Sequence, residues 1–392
     1  MCGIILLKHN KISQREIEHR ANTALNQLRH RGPDEHSLTS LNGISLGHTR
    51  LSIIDLAGSH QPLADPSERY TLTYNGEIYN YHELKKQLSP HWEFKTSGDT
   101  EVILAGLILQ GKRFIQKLEG MWAFALWDNH EQSLLLSRDR IGKKPLYFSH
   151  SDKTFACASE IPALITLLDK PPTEDLASTA DYFRYSFYLP GHTAYNEIKE
   201  VLPGHNATID ASGQFQQEQY WQLTPQRHNS NRATAVEDIR NQLHDSVKKR
   251  LVSDVEVGAF LSGGIDSSII VHHLHELSSS PIKTFTLGFS SKSFDESDYA
   301  REISEHYGTD HYSETLATWD EGHLSDIIHN QVGQPFADPS ILPTSMVSKL
   351  AAKHIKVALS GDGGDELFCG YERYKARAIM RWYTRLPNAL KN

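Results

Sequence analysis

The segment VGAFLSGGIDSS, Val257 to Ser268, most strongly constrains the architecture predicted for this chain. The apolar run Val255 to Leu261 is typical of a short buried strand, and after Ser262-Gly-Gly264 the pattern predicts a helix. A glycine-rich turn at a helix N-terminus directs backbone N–H groups and the positive end of the helix dipole towards one point, which suits an anion. Asp266 would repel a phosphate, so its presence predicts a divalent cation shared with that phosphate. The lysine of a Walker loop is missing from the segment, which disfavours a kinase or a GTPase.

The hexapeptide Ser262-Gly-Gly-Ile-Asp-Ser267 resembles the pyrophosphate loop of ATP pyrophosphatases, which adenylate a carboxylate and release pyrophosphate. A tight strand-to-helix turn without a ligand is the simpler alternative. The aspartate and the serines that accompany the two glycines favour the ligand-binding interpretation.

Strands and helices alternate beyond this segment. The runs Lys283 to Phe289 and Ile355 to Leu359 are typical of buried strands, and the second leads into Ser360-Gly-Asp-Gly-Gly-Asp-Glu366. This alternation predicts an α/β doubly wound parallel sheet, whose ligands bind beyond the carboxyl ends of the strands. Both glycine-rich loops should therefore face one crevice, where Asp266 and Asp365 are the predicted ligands of a Mg²⁺ ion shared with a phosphate chain.

Two predicted helices flank the first glycine-rich segment. Apolar residues at spacings of three and four predict a helix from about Thr234 to Leu251. The helix Ile269 to Leu277 carries His272, His275 and Glu276 at a spacing that could hold zinc. No further ligand cluster follows them, so we interpret these three residues as a polar helix face.

Composition limits the class of protein. The 392 residues suffice for two domains, and 39% apolar and 22% charged residues are ordinary for a soluble globular protein. A net charge of −8 argues against a nucleic-acid or anionic-membrane partner, and the sequence has no apolar run of membrane-spanning length. Three scattered cysteines favour neither a disulfide framework nor a zinc knuckle, which indicates a reducing cytoplasm. The pattern predicts domains at residues 1–210 and 233–392, joined by a linker at 211–232.

Cys2 directly follows the initiator Met1. Methionine is removable before a small residue, and its removal would leave Cys2 with a free thiol and a free α-amine. An α-amine titrates at about 7.7–8.0, so one residue could supply both a nucleophile and its base. An N-terminal cysteine alone is more often incidental. The segments that follow strengthen the interpretation of Cys2 as a nucleophile.

Polar residues recur downstream at predicted strand ends and turns. Arg50 could clamp a carboxylate, while Glu77 and Asp99 could hold an ammonium group. Asn75 and the N–H of Gly76 could serve as an oxyanion hole. Each has an ordinary alternative when it is taken singly: a surface ion pair for Arg50, a hairpin turn for Asn75-Gly76, and a helix N-cap for Asp99. If the residues converge on one pocket, they would bind an amino acid.

Eight segments of the N-terminal half form a specific set: Arg31–Asp34, Gly47–Asp55, Tyr74–Asn80, Ser97–Glu101, Gly120–Asp128, Arg138–Arg140, Lys144–Tyr147 and Ala158–Glu160. Together they resemble the class II glutamine amidotransferase domain of glutamine-dependent asparagine synthetases. The resemblance implies an α+β N-terminal-nucleophile hydrolase fold, with stacked antiparallel sheets between helices. It implies that Cys2 is the nucleophile and that Asn75 and Gly76 stabilise the oxyanion. It also implies that Arg50 binds the carboxylate of glutamine, and that Glu77 and Asp99 bind its amine.

The second half resembles the synthetase domain of the same family through Asp254-Val255, Phe260–Ser268, Thr284–Phe289, Phe336–Ser340 and Ser360–Tyr371. The resemblance implies Mg²⁺ at Asp266 and Asp365, and an ATP site formed by Leu261, Ser262, Gly263, Gly264, Asp266, Ser267, Ser268, Leu287, Ser360 and Gly361. Backbone at Leu261, Leu287, Ser360 and Gly361 would hold the adenosine. Asp362 occupies a position often filled by a glutamate thought to support adenylation, and Cys369 stands where the family usually has glycine.

The function implied is that of a glutamine-hydrolysing amidotransferase. Cys2 would release ammonia from glutamine, and the second domain would use ATP and Mg²⁺ to adenylate aspartate, with pyrophosphate released and asparagine formed. Two alternatives stay open: amidation of another carboxylate such as a sugar acid, and a glutaminase or regulatory protein without synthetase activity. Family members continue well beyond the second glycine-rich loop, so we expect the synthetase domain to be incomplete at its C-terminus. The expected partners are these small molecules, and association into a homodimer is left open.

Overall fold

The computed structural model describes residues 1–226, 231–292, 295–316, 318 and 320–385. The chain divides into two compact units. The first contains Met1–Ser230, Val252–Asp254 and Asp320–Leu342, and the second contains the remaining ranges, Asn231–Leu251, Val255–Trp319 and Pro343–Asn392. Residues 227–230 of the predicted linker lie outside the described residues. The domain boundaries taken from the sequence stay a prediction. Nothing in the sequence predicted that residues 320–342 belong to the first unit.

The first unit is built on two antiparallel sheets. Its described strands are β1 (Gly3–His9), β2 (Glu35–Leu41), β3 (Ile44–Arg50), β4 (Leu63–Ala64), β5 (Tyr70–Ile78), β6 (Gly120–Asp128), β7 (Ser133–Arg138), β8 (Tyr147–His150), β9 (Thr154–Ala158), β10 (Lys199–Glu200), β11 (His205–Ile209) and β12 (Phe215–Gln219). One sheet has the order β10-β8-β9-β1-β3-β2, and the other has the order β12-β11-β7-β6-β5-β4. β12 lies within the range 211–232 that the sequence assigns to a linker.

The described α-helices of the whole chain are α1 (Gln14–Gln27), α2 (Tyr81–Leu88), α3 (Asp99–Gln110), α4 (Ile161–Leu167), α5 (Leu176–Tyr185), α6 (Arg232–Arg250), α7 (Ile265–Leu277), α8 (Ser297–Tyr307), α9 (Glu321–Ile327), α10 (Ile341–Ala351), α11 (Gly364–Phe368) and α12 (Glu372–Tyr383). A 3₁₀ helix spans Gly111–Lys117, and a π-helix spans Ile328–Val332. No helix in the described part of the chain is long and apolar enough to cross a membrane.

Alternation along β6 shows how the layers of the first unit arise. Ala123, Ala125 and Trp127 pack against β1 and β3 of the other sheet, in a core that also contains Leu6 and Leu46. The side chains between them, Trp122, Phe124 and Leu126, point to the opposite face and pack with α2 and α3. Because successive side chains of a strand alternate between faces, one strand contributes to both cores. A third core joins the first sheet to α1 and α4, so two stacked sheets lie between helices. This confirms the predicted N-terminal-nucleophile hydrolase fold.

The second unit contains a parallel sheet. Its described strands are β13 (Val257–Phe260), β14 (Lys283–Phe289), β15 (Asp310–Leu316) and β16 (Val357–Leu359), in the order β15-β14-β13-β16. All of the pairings are parallel. The chain therefore moves outward in one direction from β13 and later returns to its other side, which places a topological switch point between β13 and β16. The predicted doubly wound parallel sheet is confirmed.

Several predicted elements differ in detail from the structure. The helix predicted from Thr234 is α6, but Val236 and Ile239 of its apolar stripe are 49% and 40% exposed. The helix expected after the first glycine-rich turn begins already at Ile265. The acidic segment Phe294–Tyr299 is typical of a helix start. Phe294 lies outside the described residues, and the helix, α8, begins at Ser297.

Candidate active site

Cys2 lies at the entry to the central strand of the first sheet. Gly3 follows it in β1, and its N–H donates to the Thr49 hydroxyl oxygen at 3.1 Å. A Cβ at Gly3 would lie 2.6 Å from that oxygen, so only glycine permits this approach. The Arg31 Nε donates to the carbonyl oxygen of Cys2 at 2.9 Å, and Arg31 Nη1 pairs with Glu160 at 2.7 Å. The backbone of Cys2 is thus held from both sides.

The thiol of Cys2 faces a pocket in the first unit. Its Sγ accepts a hydrogen bond from the Leu51 N–H at 3.4 Å. Burial raises the pKa of the thiol, while that hydrogen bond and the nearby α-amine and Lys144 act in the opposite direction. Burial also lowers the pKa of the Met1 α-amine to about 5.

Asn75 and Gly76 lie side by side in the middle of β5 and line the same pocket. The hairpin turn that was the ordinary alternative for this pair is therefore wrong. The Nδ2 of Asn75 is buried and has no hydrogen-bond partner among the described residues. A buried amide donor without a partner is costly, and it is the group that a ligand oxygen would satisfy. At Gly76 a Cβ would come within 2.1 Å of the Met121 carbonyl oxygen, which excludes any side chain.

Arg50 ends β3 and is only 4% exposed, so it is not a surface residue. Its Nη2 donates to the carbonyl oxygen of Asp55 at 2.6 Å, and its Nη1 donates to that of Leu56 at 3.3 Å. Glu35 lies 3.6 Å from Nη1. These contacts orient the guanidinium at the pocket wall, where it is one of the lining residues.

Asp99 and Glu77 also line the pocket. Asp99 is the first residue of α3, whose N-cap is Gly98, so the N-cap alternative for Asp99 is wrong. Its carboxylate accepts hydrogen bonds from the Tyr74 hydroxyl at 2.9 Å and from the Ile78 N–H at 3.0 Å. Burial raises the pKa of Asp99, and these hydrogen bonds oppose that rise. The structure therefore gathers the predicted residues of the amidotransferase half around one cavity: Cys2, Arg50, Asn75, Gly76, Glu77 and Asp99.

Asp55 connects two parts of this cavity. Its backbone carbonyl holds Arg50, and its carboxylate accepts hydrogen bonds from the N–H groups of Ser97 at 2.9 Å and Gly98 at 3.2 Å. The Ser59 hydroxyl donates to the same carboxylate at 3.0 Å. Burial acts to raise the pKa of Asp55, but these donors outweigh it and hold the pKa below its usual value. The loop beside Arg50 and the turn ahead of Asp99 are thereby joined through one side chain.

Lys144 is a pocket residue to which the sequence assigned no role. It is 4% exposed, and its Nζ lies 3.0 Å from the Met1 Sδ. Burial lowers the pKa of Lys144 to about 8, while Glu77 acts to raise it. The backbone around it is fixed by Asp139, which accepts from the Lys144 N–H at 3.0 Å, and by Arg138, which donates to the Lys144 carbonyl at 2.9 Å. Lys144 is the first residue of Lys144–Tyr147, one of the segments that resemble the amidotransferase domain, and this resemblance could have pointed to it.

The two glycine-rich loops of the second unit lie against each other. They follow β13 and β16, which are neighbours in the sheet. A Cβ at Gly364 would lie 2.4 Å from the Asp266 Cγ, and one at Gly361 would lie 2.9 Å from the Asp266 Cβ, so glycine is needed at this contact. Burial raises the pKa of Asp266, and the negative charges of Asp365 and Glu366 add to the rise. Carboxylates that repel one another in this way are suited to hold a divalent cation.

The serine hydroxyls of the first glycine-rich loop form hydrogen bonds with one another and with the backbone of that loop. The Ser262 and Ser267 hydroxyl oxygens are 3.1 Å apart, and the Ser268 hydroxyl donates to the Gly264 carbonyl at 2.8 Å. Gly263 has φ +82°, and a Cβ there would lie 2.7 Å from the Ala300 nitrogen at the start of α8. Glycine at this position is thus required by the turn and by packing, beyond any ligand.

The residues expected to hold adenosine are only partly brought together. Leu261, Ser262 and Leu287 line a cavity of the second unit, and Ser360 and Gly361 are not among its lining residues. The Leu261 N–H already donates to the Phe285 carbonyl at 2.9 Å. Asp362 is exposed and accepts a hydrogen bond from the Ser360 hydroxyl at 2.8 Å.

Comparison with known proteins defines the class to which this arrangement belongs. Residues 1–221 match the model of a glutamine amidotransferase domain, and residues 238–392 match that of asparagine synthase. A protein of this class joins a glutamine amidotransferase domain to a synthase domain in one chain.

Individual relatives extend the comparison. Asparagine synthetase [glutamine-hydrolyzing] 1 of Bacillus subtilis (strain 168) is 34% identical over 396 residues, which cover 100% of this chain and 62% of that protein. Putative asparagine synthetase [glutamine-hydrolyzing] 2 of Methanocaldococcus jannaschii is 33% identical, with 100% of this chain and 79% of that protein covered. A solved structure, described as the allosteric regulatory enzyme of purine biosynthesis, has a TM-score of 0.44 at 16% identity and covers 88% of this chain and 98% of its own.

This chain belongs to the family of glutamine-hydrolysing asparagine synthetases. It spans about three fifths of the length of the Bacillus relative, at 62%.

Proposed function

We propose that the first unit hydrolyses glutamine to glutamate and ammonia, with Cys2 as the nucleophile. The observation that carries this proposal is the buried Nδ2 of Asn75, a donor without a partner among the described residues in the pocket that Cys2 also lines. An amide donor placed in this way would stabilise an oxygen that becomes negative during attack on the glutamine side chain. Arg50 would bind the carboxylate of glutamine, and Glu77 and Asp99 its amine.

The reaction would proceed through a thioester. After removal of Met1, the α-amine of Cys2 takes the thiol proton, and the sulfur attacks the side-chain amide carbon of glutamine. The oxygen of that amide becomes an oxyanion, which Asn75 Nδ2 and the Gly76 N–H stabilise. The C–N bond then breaks, and the amine returns its proton to the leaving ammonia. Water attacks the resulting thioester, which releases glutamate and restores the thiol.

For the second unit we propose ATP-dependent activation of a carboxylate, aspartate in the first instance, for amidation by the ammonia. Support comes from the two glycine-rich loops at the switch point of a parallel sheet, where such folds bind their ligands. Asp266 and Asp365 would hold Mg²⁺, which neutralises phosphate charge when it is bound. Burial raises the pKa of Asp266 and the charge of Asp365 adds to the rise, which fits two carboxylates that share a cation. A cytoplasmic location rests on cysteine usage alone.

Release of ammonia from glutamine by the purified chain tests the proposal. Mass spectrometry should first establish that Met1 has been removed. Cys2→Ala should abolish glutaminase activity because it removes the attacking atom, whereas Cys369→Ala, at an exposed cysteine, should leave it unchanged. Retention of glutamine hydrolysis by the Cys2→Ala protein would refute the assignment.

A further inference from the structure

A cluster of imidazole and carboxylate groups joins α6 to α7 in the second unit. His244 comes from α6, and His273 and Glu276 come from α7. One donor atom from each of the three residues lies within 4.8 Å of the other two. The Glu276 Oε2 is 3.2 Å from the His273 Nδ1 and 3.6 Å from the His244 Nδ1. A single carboxylate oxygen therefore faces two imidazole nitrogens on different helices.

We propose that His244, His273 and Glu276 form a binding site for a divalent transition-metal ion, Zn²⁺ foremost, that clamps α6 to α7. Zinc binds imidazole nitrogen and carboxylate oxygen at about 2.0–2.2 Å in tetrahedral geometry, which places neighbouring ligand atoms about 3.3 Å apart. The two distances from the Glu276 Oε2 bracket that spacing. Two histidines and one carboxylate, with water in the fourth position, is a donor set that zinc uses. Imidazole ligands disfavour Mg²⁺, which prefers oxygen.

The three residues differ in exposure. The His273 side chain is only 3% exposed, whereas those of His244 and Glu276 are 37% and 47% exposed. An ion from solution can therefore reach the cluster from the side of His244 and Glu276.

A neighbouring histidine lies near the second oxygen of the carboxylate. The His272 Nε2 lies 3.6 Å from Glu276 Oε1, the oxygen that does not face His244 and His273. The Tyr307 hydroxyl lies 3.3 Å from the other ring nitrogen of His272. Groups in this position orient a metal-binding carboxylate and are part of many metal sites.

His275 supplies the matched control. It is on the same helix, but its ring lies 5.3 Å from that of Tyr307 and the residue is not part of the cluster. The cluster thus differs from the set His272, His275 and Glu276 considered from the sequence. The residue that changes the interpretation, His244, lies on the preceding helix.

Calorimetric titration with ZnCl₂ tests the site, using the full chain freed of metal with EDTA and held in excess Mg²⁺. The wild-type chain should bind one zinc ion in a step that His244→Gln and Glu276→Gln each weaken roughly tenfold or more, and that His275→Gln leaves unchanged. Zinc titrations of His244→Gln and Glu276→Gln that match the wild type would overturn the proposal. His273 is left intact because its burial makes misfolding the first result of its replacement.

Thermal unfolding gives a second readout. A metal that binds only the folded state raises the unfolding temperature, by roughly 5 °C or more for a unit of this size at a hundredfold excess over Kd. The rise should occur in the wild type and in His275→Gln, and be absent from His244→Gln. An equal rise in His244→Gln would place the zinc elsewhere and would also overturn the proposal.

Discussion

The guanidinium of Arg31 holds the carbonyl oxygen of Cys2, with its Nε 2.9 Å away. Arg31 is itself fixed by the carboxylate of Glu160, the N-cap residue of α4. Cys2, the proposed nucleophile, therefore owes its position to an ion pair between segments distant in sequence. Both charged side chains are less than a tenth exposed, so solvent screens the pair little.

Replacement of Arg31 by lysine should reduce glutamine hydrolysis without unfolding the chain. Lysine keeps the charge, but it cannot bond the Cys2 carbonyl and Glu160 in the geometry of a planar fork. A nucleophile displaced by about 1 Å can cost about a hundredfold in rate, and we expect a fall in kcat of that order. Arg15→Lys, at an exposed arginine of α1, is the control. A kcat equal to that of the wild type would remove Arg31 from the set of positioning residues.

Asn75→Ala should lower kcat far more than it raises KM, because the oxyanion exists only after attack has begun. Loss of one oxyanion donor typically costs about 10²–10³ in kcat. Steady-state glutaminase kinetics measure the two constants separately, and Asn10→Ala, at an exposed asparagine, is the control. A variant that changes KM alone would make Asn75 a substrate-binding residue.

Lys144 should leave a signature in the pH dependence of stability. In the chain that retains Met1, its pKa in the folded state is about 8, below its ordinary value of 10.5. Between these values the unfolded chain binds the proton and the folded chain does not, so this group makes stability rise as pH rises. Denaturant unfolding at pH 8 and at pH 10 should therefore show a gain in the wild type relative to Lys144→Met. The exposed Lys143 is the control, and Lys143→Met should show the same change in stability between pH 8 and pH 10 as the wild type.

Asp266→Asn should have opposite effects on stability and on nucleotide binding. The raised pKa of Asp266 means that its ionised form is disfavoured in the folded chain, by burial first and then by Asp365 and Glu366. Removing the charge should therefore raise the unfolding temperature of the ligand-free chain near pH 7. The same change should weaken calorimetric binding of a non-hydrolysable ATP analogue in the presence of Mg²⁺. A variant that binds the analogue and Mg²⁺ as tightly as the wild type would exclude Asp266 as a metal ligand.

From the sequence we predicted several residues that line the pocket of the first unit, but not the contacts that hold them in place. Arg50, Asn75 and Asp99 could be singled out because each lies in a short segment with a specific local pattern. We assigned no role to Lys144 from the sequence. Its backbone is held by hydrogen bonds with Arg138 and Asp139, which are visible only in the folded loop. The surface alternative for Arg50 could not be decided from spacing, since spacing does not show that the folded chain leaves this residue only 4% exposed.

Long-range placement also explains what was missed in the second unit. A helical spacing relates residues of one helix only, so it could not associate His244 of α6 with Glu276 of α7. The apolar periodicity of α6 predicted the helix correctly, but it did not predict that Val236 and Ile239 would be 49% and 40% exposed. Periodicity shows which face of a helix is apolar, and the fold determines how much of that face is covered.

The carboxylate of Asp55 sets the length of the pocket that we propose binds glutamine. The loop whose carbonyls hold Arg50 cannot move away from the turn ahead of Asp99, since Asp55 is bonded to both. Asparagine is one methylene shorter than glutamine, and a missing methylene in a fitted site costs about 1–3 kcal/mol. Bound by the same two ends, asparagine would hold its amide short of the Cys2 sulfur. The enzyme proposed here would thus leave its own product intact and avoid a futile cycle of asparagine synthesis and hydrolysis.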